Sequence, residues 1–440
     1  MSTISFIVFE DGERYPMLVD EDGFPDFWVT LFVTAKLRPG HKASSIENTM
    51  RDILHLKLWE KIENRNLVAE FTNGQIISAD DIELIRDHCL LNTRDLKKEL
   101  KFTQTPNVAS ISAYYPTAKR KAQRVSWTHY GNRLSHIASY LSFIGEIALK
   151  SHREARKLRP ELKKMDRLLR AQRDKVQRKS RGASASDFKA PSPEIFVKFL
   201  KMVAEDSPDN PYKNPLIRQR NALMFDVLDR TGIRSGELLG LHIEDIDFNQ
   251  FTITVERRHD LKYDPRSRQP VQKTNGRTMG LHSELIQRLK DYIFYVRASI
   301  PGANKHPFVF VTHKKGKYQG RPISDSSFRN RILKPATEAF PDMFDEVRRH
   351  GFRHNFNYRI SKRIDAHNAW VRANPKQAEK EGKEIYTEKH SEQILMDLNG
   401  WSSASSAAPY QLRYIKEKAE QFMREDQEEQ ARILRKRRTR

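Results

Sequence analysis

The sequence predicts a mainly α fold with a small antiparallel β-sheet, an α+β architecture organised as two helical bodies. Three observations carry this expectation. Apolar residues recur with helical spacing from about residue 43 to 149 and again beyond 215. Period-two alternation is confined to short stretches near the N-terminus and around 251–281. Between the bodies, "GASASDFKAPSPE" supplies small, Ser- and Pro-rich linker chemistry.

Residues 1–40 read as a β-rich extension, with "ISFIVFE" and "FWVTLFV" as short strands separated by acidic and Gly/Pro turns. Residues 41–182 read as a helical domain. In "HKASSIENTMRDILHLKLWEKI", Ile46, Met50, Ile53, Leu54, Leu56 and Leu58 supply the apolar positions. In "SADDIELIRDHCLL", Ser78 stands as an N-cap with acids in the first turn. A third helix runs through "RLSHIASYLSFIGEIAL". Residues 150–182 are densely basic and helix-prone apart from Pro160, with too few acids for intrahelical pairing, so contact with phosphates is expected alongside the plain reading of a solvated face. A linker follows at 183–192 and a second domain at 193–440.

In that domain, "PLIRQRNALMFDVLDRTGIRSGELLGL" is a helix through Leu228 stopped at Gly232 by a C-terminal cap, with a second short helix from Ser235. "FTITVERR" and "VQKTNGRTMGL" alternate as strands, with Asn275-Gly276 as a two-residue hairpin turn that sets Lys273 close to its tip. "SELIQRLKDYIFYVRAS" restores helix, with Ser283 as its N-cap. The stretch 367–392 is long and polar, which predicts an inserted loop.

Charge narrows the function. Lys and Arg number 79 against 57 Asp and Glu, a net +22. Residues 1–110 hold 13 basic and 18 acidic side chains, while 111–440 hold 66 and 39. A polyanionic partner is the expectation. Cys89 is the only cysteine, which excludes an intramolecular disulfide and a cysteine-ligated zinc cluster and fits a reducing compartment. No apolar run approaches a membrane span, and the N-terminus lacks a basic flank and a small-residue cleavage site, so a cytoplasmic protein without membrane contact is expected. No phosphate-binding G-x-x-x-x-G-K-[ST] loop occurs.

The segment "RRHGFRHNFNYRISKR" at 348–363 reads as a helix. On a helical wheel Phe352, Phe356 and Ile360 share one face, which docks the helix; His350, Arg353, His354 and Asn357 gather on the other, which is presented. A zinc site is disfavoured because the glutamate of H-E-x-x-H helices is absent. No metal or cofactor is expected.

Taken with its company, the segment gains meaning. "TGIRSGELLGL" at 231–241, a strand-hairpin lysine at 273, "HGFRH" at 350–354 and "LNGWSSASSAAPY" at 398–410 occur in an order and spacing that resembles the tyrosine recombinases, the phage-integrase family. The resemblance spans about 190–415 and extends more weakly into the helical region before it. It implies a helical core-binding domain and a catalytic domain that together form a C-shaped clamp on DNA. Arg234 matches the family's first arginine, Lys273 its hairpin lysine, and His350 with Arg353 its His-x-x-Arg pair. Trp401 stands where most members have histidine and some tryptophan, and Tyr410 sits at the nucleophile's distance. Tyr414, four residues on, remains the alternative, and Pro409 makes Tyr410 a helix-opening residue.

The chemistry suits these residue types. Attack on a phosphodiester builds negative charge on the nonbridging oxygens, and guanidinium groups meet it with a fixed, planar fork of donors. The resemblance implies that Tyr410 attacks phosphorus and is joined covalently to the DNA 3′ end, without ATP or metal. His350 is then the candidate base and Lys273 the candidate acid, with Lys262, Arg266 and Arg268 as neighbouring rivals. His354 is expected to support the site without taking part. A tetramer on DNA, exchanging C-terminal helices, and accessory proteins are also implied. Two other readings stay open at this level: an enzyme similar to type IB topoisomerases, and an inert sequence-specific DNA-binding protein of a mobile element.

Overall fold

The computed structural model describes residues 2–104, 123–181, 190–270, 272 and 274–438. The chain divides into two compact units, residues 1–9 with 13–185, and residues 10–12 with 186–440. The expected linker falls largely outside the described residues, as does Lys273. No helix among the described residues is long and apolar enough to cross a membrane.

In the first unit, β1 (Thr3–Val8) pairs antiparallel with β2 (Arg14–Val19), from Thr3↔Val19 to Val8↔Arg14. The stretch expected as a second strand is instead helix α1 (Phe27–Phe32), continued by a wider π turn over Val33–Leu37. The reason is local. Asp26 accepts a hydrogen bond from the Val29 amide and caps the helix, and Val29, Phe32 and Val33 then share one buried face at helical spacing. Helices α2 (Ala43–Ile62), α3 (Leu67–Thr72), α4 (Ala79–Cys89), α5 (Thr93–Gln104), α6 (Trp127–Ala148) and α7 (Ala155–Arg181) complete the unit. Ser78 caps α4 as expected, in a reciprocal box with Asp81. Helix α7 runs through Pro160 and buries Leu162, Met165 and Leu169 against the core, so its basic face is the solvated side of an amphipathic helix.

A polar group is buried within this core. Arg133 donates to the carbonyls of Cys89 (2.7 Å) and Leu91 (2.9 Å), and His136 meets Asp52 at 2.7 Å. His55 and His88 pack ring to ring at 4.3 Å. Burial, then the Arg133 charge, push His55 down to about 2 and His88 down to about 4, so both imidazoles are neutral in the fold.

The second unit begins with α8 (Pro193–Met202), α9 (Pro215–Thr231) and the short α10 (Ser235–Leu239), the last two separated by Gly232 at φ 63° as the sequence predicts. A sheet of order β3-β4-β5 follows, from β3 (Ile246–Asp247), β4 (Thr252–Val255) and β5 (Arg277–Gly280). The β4–β5 pairing closes at Val255↔Arg277, so Asn275-Gly276 is not a two-residue hairpin tip. The Asn275 amide instead donates to the Gly400 carbonyl at 3.0 Å. Helix α11 (Ser283–Asp291) is capped by His282, one residue before the expected Ser283. Short helices α12 (Asp325–Ser327), α13 (Lys334–Glu338) and α14 (Pro341–Phe344) lead to α15 (Arg349–Ala373).

The expected inserted loop is mostly helical. Helix α15 runs on to residue 373, α16 (Pro375–Lys380) turns back, and α17 (Glu388–Asn399) begins at 388. Asn368 fixes the return through a paired hydrogen bond with the Tyr386 backbone (2.9 and 2.8 Å), and His367 stacks on the Tyr386 ring. The last helix is α18 (Ala408–Arg438), which packs along α15.

The neutral histidines set a pH dependence for the first unit. Unfolded, each imidazole ionises near 6.5, so their stabilisation is complete above that pH and is lost as pH falls toward the depressed folded values, at up to about 1.4 kcal/mol per pH unit per histidine. Protection of α4 and α6 amides against hydrogen exchange is therefore expected to fall from pH 7 to pH 5. The fall should be shallower in His88→Phe, since the His88 Nε2 has no partner among the described residues; an unchanged slope would contradict the assignment.

Candidate active site

Helix α15 carries two sets of side chains, and both turn inward. Phe352 packs on Phe196, Phe199 and Phe225 in the main core. Arg353 and Asn357 on the opposite face are buried as well, with Arg353 only 1% exposed. The sequence reading expected this face to be presented; α17, the 400–407 segment and the start of α18 cover it instead. Of its four members, His350 is exposed and His354 is half-buried.

Arg353 is held by the ends of two helices. Its Nη1 donates to the carbonyl of Gly232, where α9 stops, at 3.0 Å, and its Nη2 to the carbonyl of Asn399, where α17 stops, at 2.7 Å. Helix C-termini present unpaired carbonyls and partial negative charge, which suits a guanidinium. Burial, then the neighbouring Arg234 charge, push Arg353 down to about 9. Its Nε is buried without a hydrogen-bond partner among the described residues.

Both supporting helices end in left-handed glycines, Gly232 (φ 63°) and Gly400 (φ 62°). A Cβ on Gly232 would lie 2.4 Å from the Phe356 ring, and one on Gly400 2.6 Å from the Asn275 carbonyl oxygen. Side-chain amides of Asn357 and Asn399 exchange hydrogen bonds at 3.1 and 2.7 Å and lock α15 to α17.

Arg234 is the N-cap residue of α10. Its amide donates to Glu237 at 2.9 Å, and its guanidinium reaches the same carboxylate at 3.5 Å. Glu237 is buried and also receives Arg277 at 2.8 Å and the Thr274 hydroxyl. Burial raises its carboxyl, but the Arg277 charge and these hydrogen bonds outweigh that and hold it below the ordinary carboxylate range. Three guanidinium groups, Arg234, Arg277 and Arg353, thus face one carboxylate, a formal excess of two positive charges.

Trp401 and Tyr410 complete the cluster. Trp401 is buried with Leu395 and Ala407, and its indole N–H has no partner. The Arg353 guanidinium lies 5.3 Å from the Trp401 ring centroid and 5.6 Å from that of Tyr410. Tyr410, third residue of α18, lies 5.2 Å from Trp401 and stacks on His354 at 4.4 Å. Its hydroxyl has no hydrogen-bond partner among the described residues. Tyr414 is occupied differently, donating to Asp365 at 2.6 Å and accepting from Lys418 at 2.7 Å.

Arg234, Arg353, Trp401 and Tyr410 are therefore brought into one neighbourhood. His350 lies at the start of α15, one turn before Arg353. Lys273 is outside the described residues; after it in the chain, Thr274 donates to Glu237 and the Asn275 amide to the Gly400 carbonyl. Its rival Arg266 is buried and paired with Asp264 and two carbonyls. The sequence reading did not single out Arg277 or Asn399. Glu237 was visible inside the Thr-Gly-Ile-Arg stretch, whereas Arg277 carries no local signal.

Residues 209–367 match the phage integrase family. The matched stretch contains Arg234, His350 and Arg353 and ends before Trp401 and Tyr410. No curated protein matches the sequence. Among solved structures the chain is similar to the crystal structure of XerA recombinase, at 15% identity over 87% of this chain and 92% of that one, with a TM-score of 0.33. It is also similar to the Tn1549 transposon integrase in complex with circular intermediate DNA, at 14% identity, 87% and 93% coverage and a TM-score of 0.43. A third similar structure is XerH site-specific recombinase bound to palindromic difH substrate, at 14% identity, 81% and 95% coverage and a TM-score of 0.39.

The glycine at the end of α9 offers a test of this construction. Gly232→Ala is expected to destabilise the second unit by about 2 kcal/mol or more, from left-handed strain plus the clash with Phe356. Gly276→Ala, whose Cβ would meet only the Val255 carbonyl at 3.4 Å, should stay near wild type. Denaturant melts of the two variants decide the point.

Proposed function

We propose that this chain, whose residues 209–367 belong to the phage integrase family, is a site-specific DNA recombinase of mobile-element type that cleaves and rejoins duplex DNA through a covalent 3′-phosphotyrosyl intermediate. The observation that carries this reading is Arg353: a fully buried guanidinium with an unpartnered Nε, lying against the ring of Tyr410 inside a cluster of net positive charge. A scissile phosphate is the anion such a cluster suits.

In this reading Arg353 Nε and the Arg234 guanidinium take the nonbridging oxygens, whose charge grows as the phosphorus becomes pentavalent. The unpartnered indole N–H of Trp401 adds a neutral donor and excludes water. Tyr410 attacks in line, and its oxygen replaces the 5′ oxygen on phosphorus, so the bond energy is conserved for religation. His350 accepts the phenol proton and Lys273 returns one to the departing 5′ oxygen. Arg277 and Glu237 fix Arg234 and the base of the lysine loop. The first unit, with the basic face of α7, binds duplex phosphates as a DNA-clamping domain. The protein acts in the cytoplasm as a tetramer with exchanged C-terminal helices.

The full chain incubated with a random-sequence pool of nicked duplexes is expected to yield a covalent adduct, recoverable after denaturation. Tyr410→Phe should abolish the adduct while retaining duplex binding, and Tyr414→Phe should keep it. Arg353→Lys, which cannot reproduce the fork between the two carbonyls, should slow its formation about 100- to 1000-fold. Adduct that persists in Tyr410→Phe would overturn the assignment.

A further inference from the structure

We propose that His354 is a positioning residue for the nucleophile, a flat wall that sets the angle of the Tyr410 phenol; this deepens the strand-transfer reading above and rests on it for its kinetic consequences. His354 follows Arg353 on α15, so the helix places the phosphate clamp and this imidazole side by side, one turned inward and the other half-buried toward α18. The imidazole and phenol rings stack with centroids 4.4 Å apart and planes at 29°. The Trp401 ring meets the same phenol at 5.2 Å and 34°, and the Arg353 guanidinium lies 5.6 Å from its centroid.

Every one of these contacts is to the face or body of the ring. None engages the hydroxyl, which has no hydrogen-bond partner among the described residues. The other two tyrosines at the α15–α18 contact contrast with it: Tyr358 donates its hydroxyl to Glu417, and Tyr414 donates to Asp365. A tyrosine fixed through its hydroxyl must break that bond before its oxygen can attack. One fixed through its ring keeps the oxygen available while its direction is set.

The contact between the two residues is ring against ring. What His354 contributes to the phenol is area and flatness, with aromatic pairs of this kind favouring offset stacking. Phenylalanine therefore keeps this wall for the phenol and alanine does not.

Two measurements test this. The first needs no DNA: 3-fluorotyrosine placed at 410 in the full chain gives a ¹⁹F resonance whose position reports the ring current of the stacked imidazole. That resonance should move in His354→Ala and stay near its wild-type position in His354→Phe. An unmoved resonance in His354→Ala overturns the stack. The second uses a nicked duplex recovered in the covalent capture. His354→Ala should slow adduct formation about 100-fold, the scale of a misplaced reacting group, at unchanged duplex affinity. His354→Phe should cleave near the wild-type rate. Wild-type cleavage by His354→Ala, or a His354→Phe as slow as the alanine variant, overturns the positioning role. If the wild-type chain forms no adduct on any duplex, the strand-transfer reading fails and the positioning role falls with it, while the fluorine comparison still decides whether the stack exists.

Discussion

A guanidinium buried with carbonyls and rings for company is the constraint around which the second unit is built. Arg353 has no carboxylate of its own; its direct partners are the carbonyls of Gly232 and Asn399. Isolated buried charge is strongly unfavourable, so those carbonyls must be aimed with little freedom. That demand explains why α9 and α17 both stop in left-handed glycines beside it, and why Asn357 and Asn399 exchange amide hydrogen bonds one turn away. Left incompletely solvated by protein, with Nε unpartnered, the group is suited to receive an anion.

Glu237 resolves a second conflict. Gathering Arg234, Arg277 and Arg353 without a counter-charge would work against folding, yet a carboxylate facing the phosphate would work against binding. Glu237 is instead reached from the side, by the α10 amide, Arg277 and Thr274. Because Arg277 also donates to the Leu398 carbonyl at 2.8 Å, one side chain ties the sheet, α10 and the end of α17 together.

Much of this was legible in sequence because it is written in local spacing. The stop at Gly232, the helix start at Ser235 and the helix over 349–363, though not its run on to 373, follow from caps and 3.6-residue periodicity. What periodicity could not supply was which neighbours close over a face. The polar face of α15 reads as exposed because Arg353 and Asn357 are hydrophilic, and only the return of α17 and α18, dozens of residues later, buries them. The same limit hid Arg277, whose partners lie 40 and 121 residues away. The two errors of strand assignment differ in kind: Asp26 as a local N-cap turned "FWVTLFV" into helix, whereas the segment holding Asn275-Gly276 is tied by its amide to the distant Gly400 carbonyl.

The contact between α15 and α18 divides its tyrosines between two kinds of contact, through the hydroxyl and through the ring. Tyr358 and Tyr414 dock α18 through Glu417 and Asp365, Lys362 and Lys418 reinforce the same carboxylates, and Arg413 donates to the carbonyls of Ala190 and Pro191. Burial and the accepting carboxylates push the Tyr414 phenol up and Tyr358 up to about 12, so both keep their protons. Tyr410 stands apart from this set. It occupies the first turn of a 31-residue helix, and among the described residues its ring is placed by His354 and Trp401 alone of the aromatic ones. Two ways of holding a tyrosine are thus divided between successive turns of one helix: the turns after Tyr410 fix α18 through hydroxyls and charged groups, and the turn that bears it is held by ring contacts that leave its oxygen unengaged among the described residues.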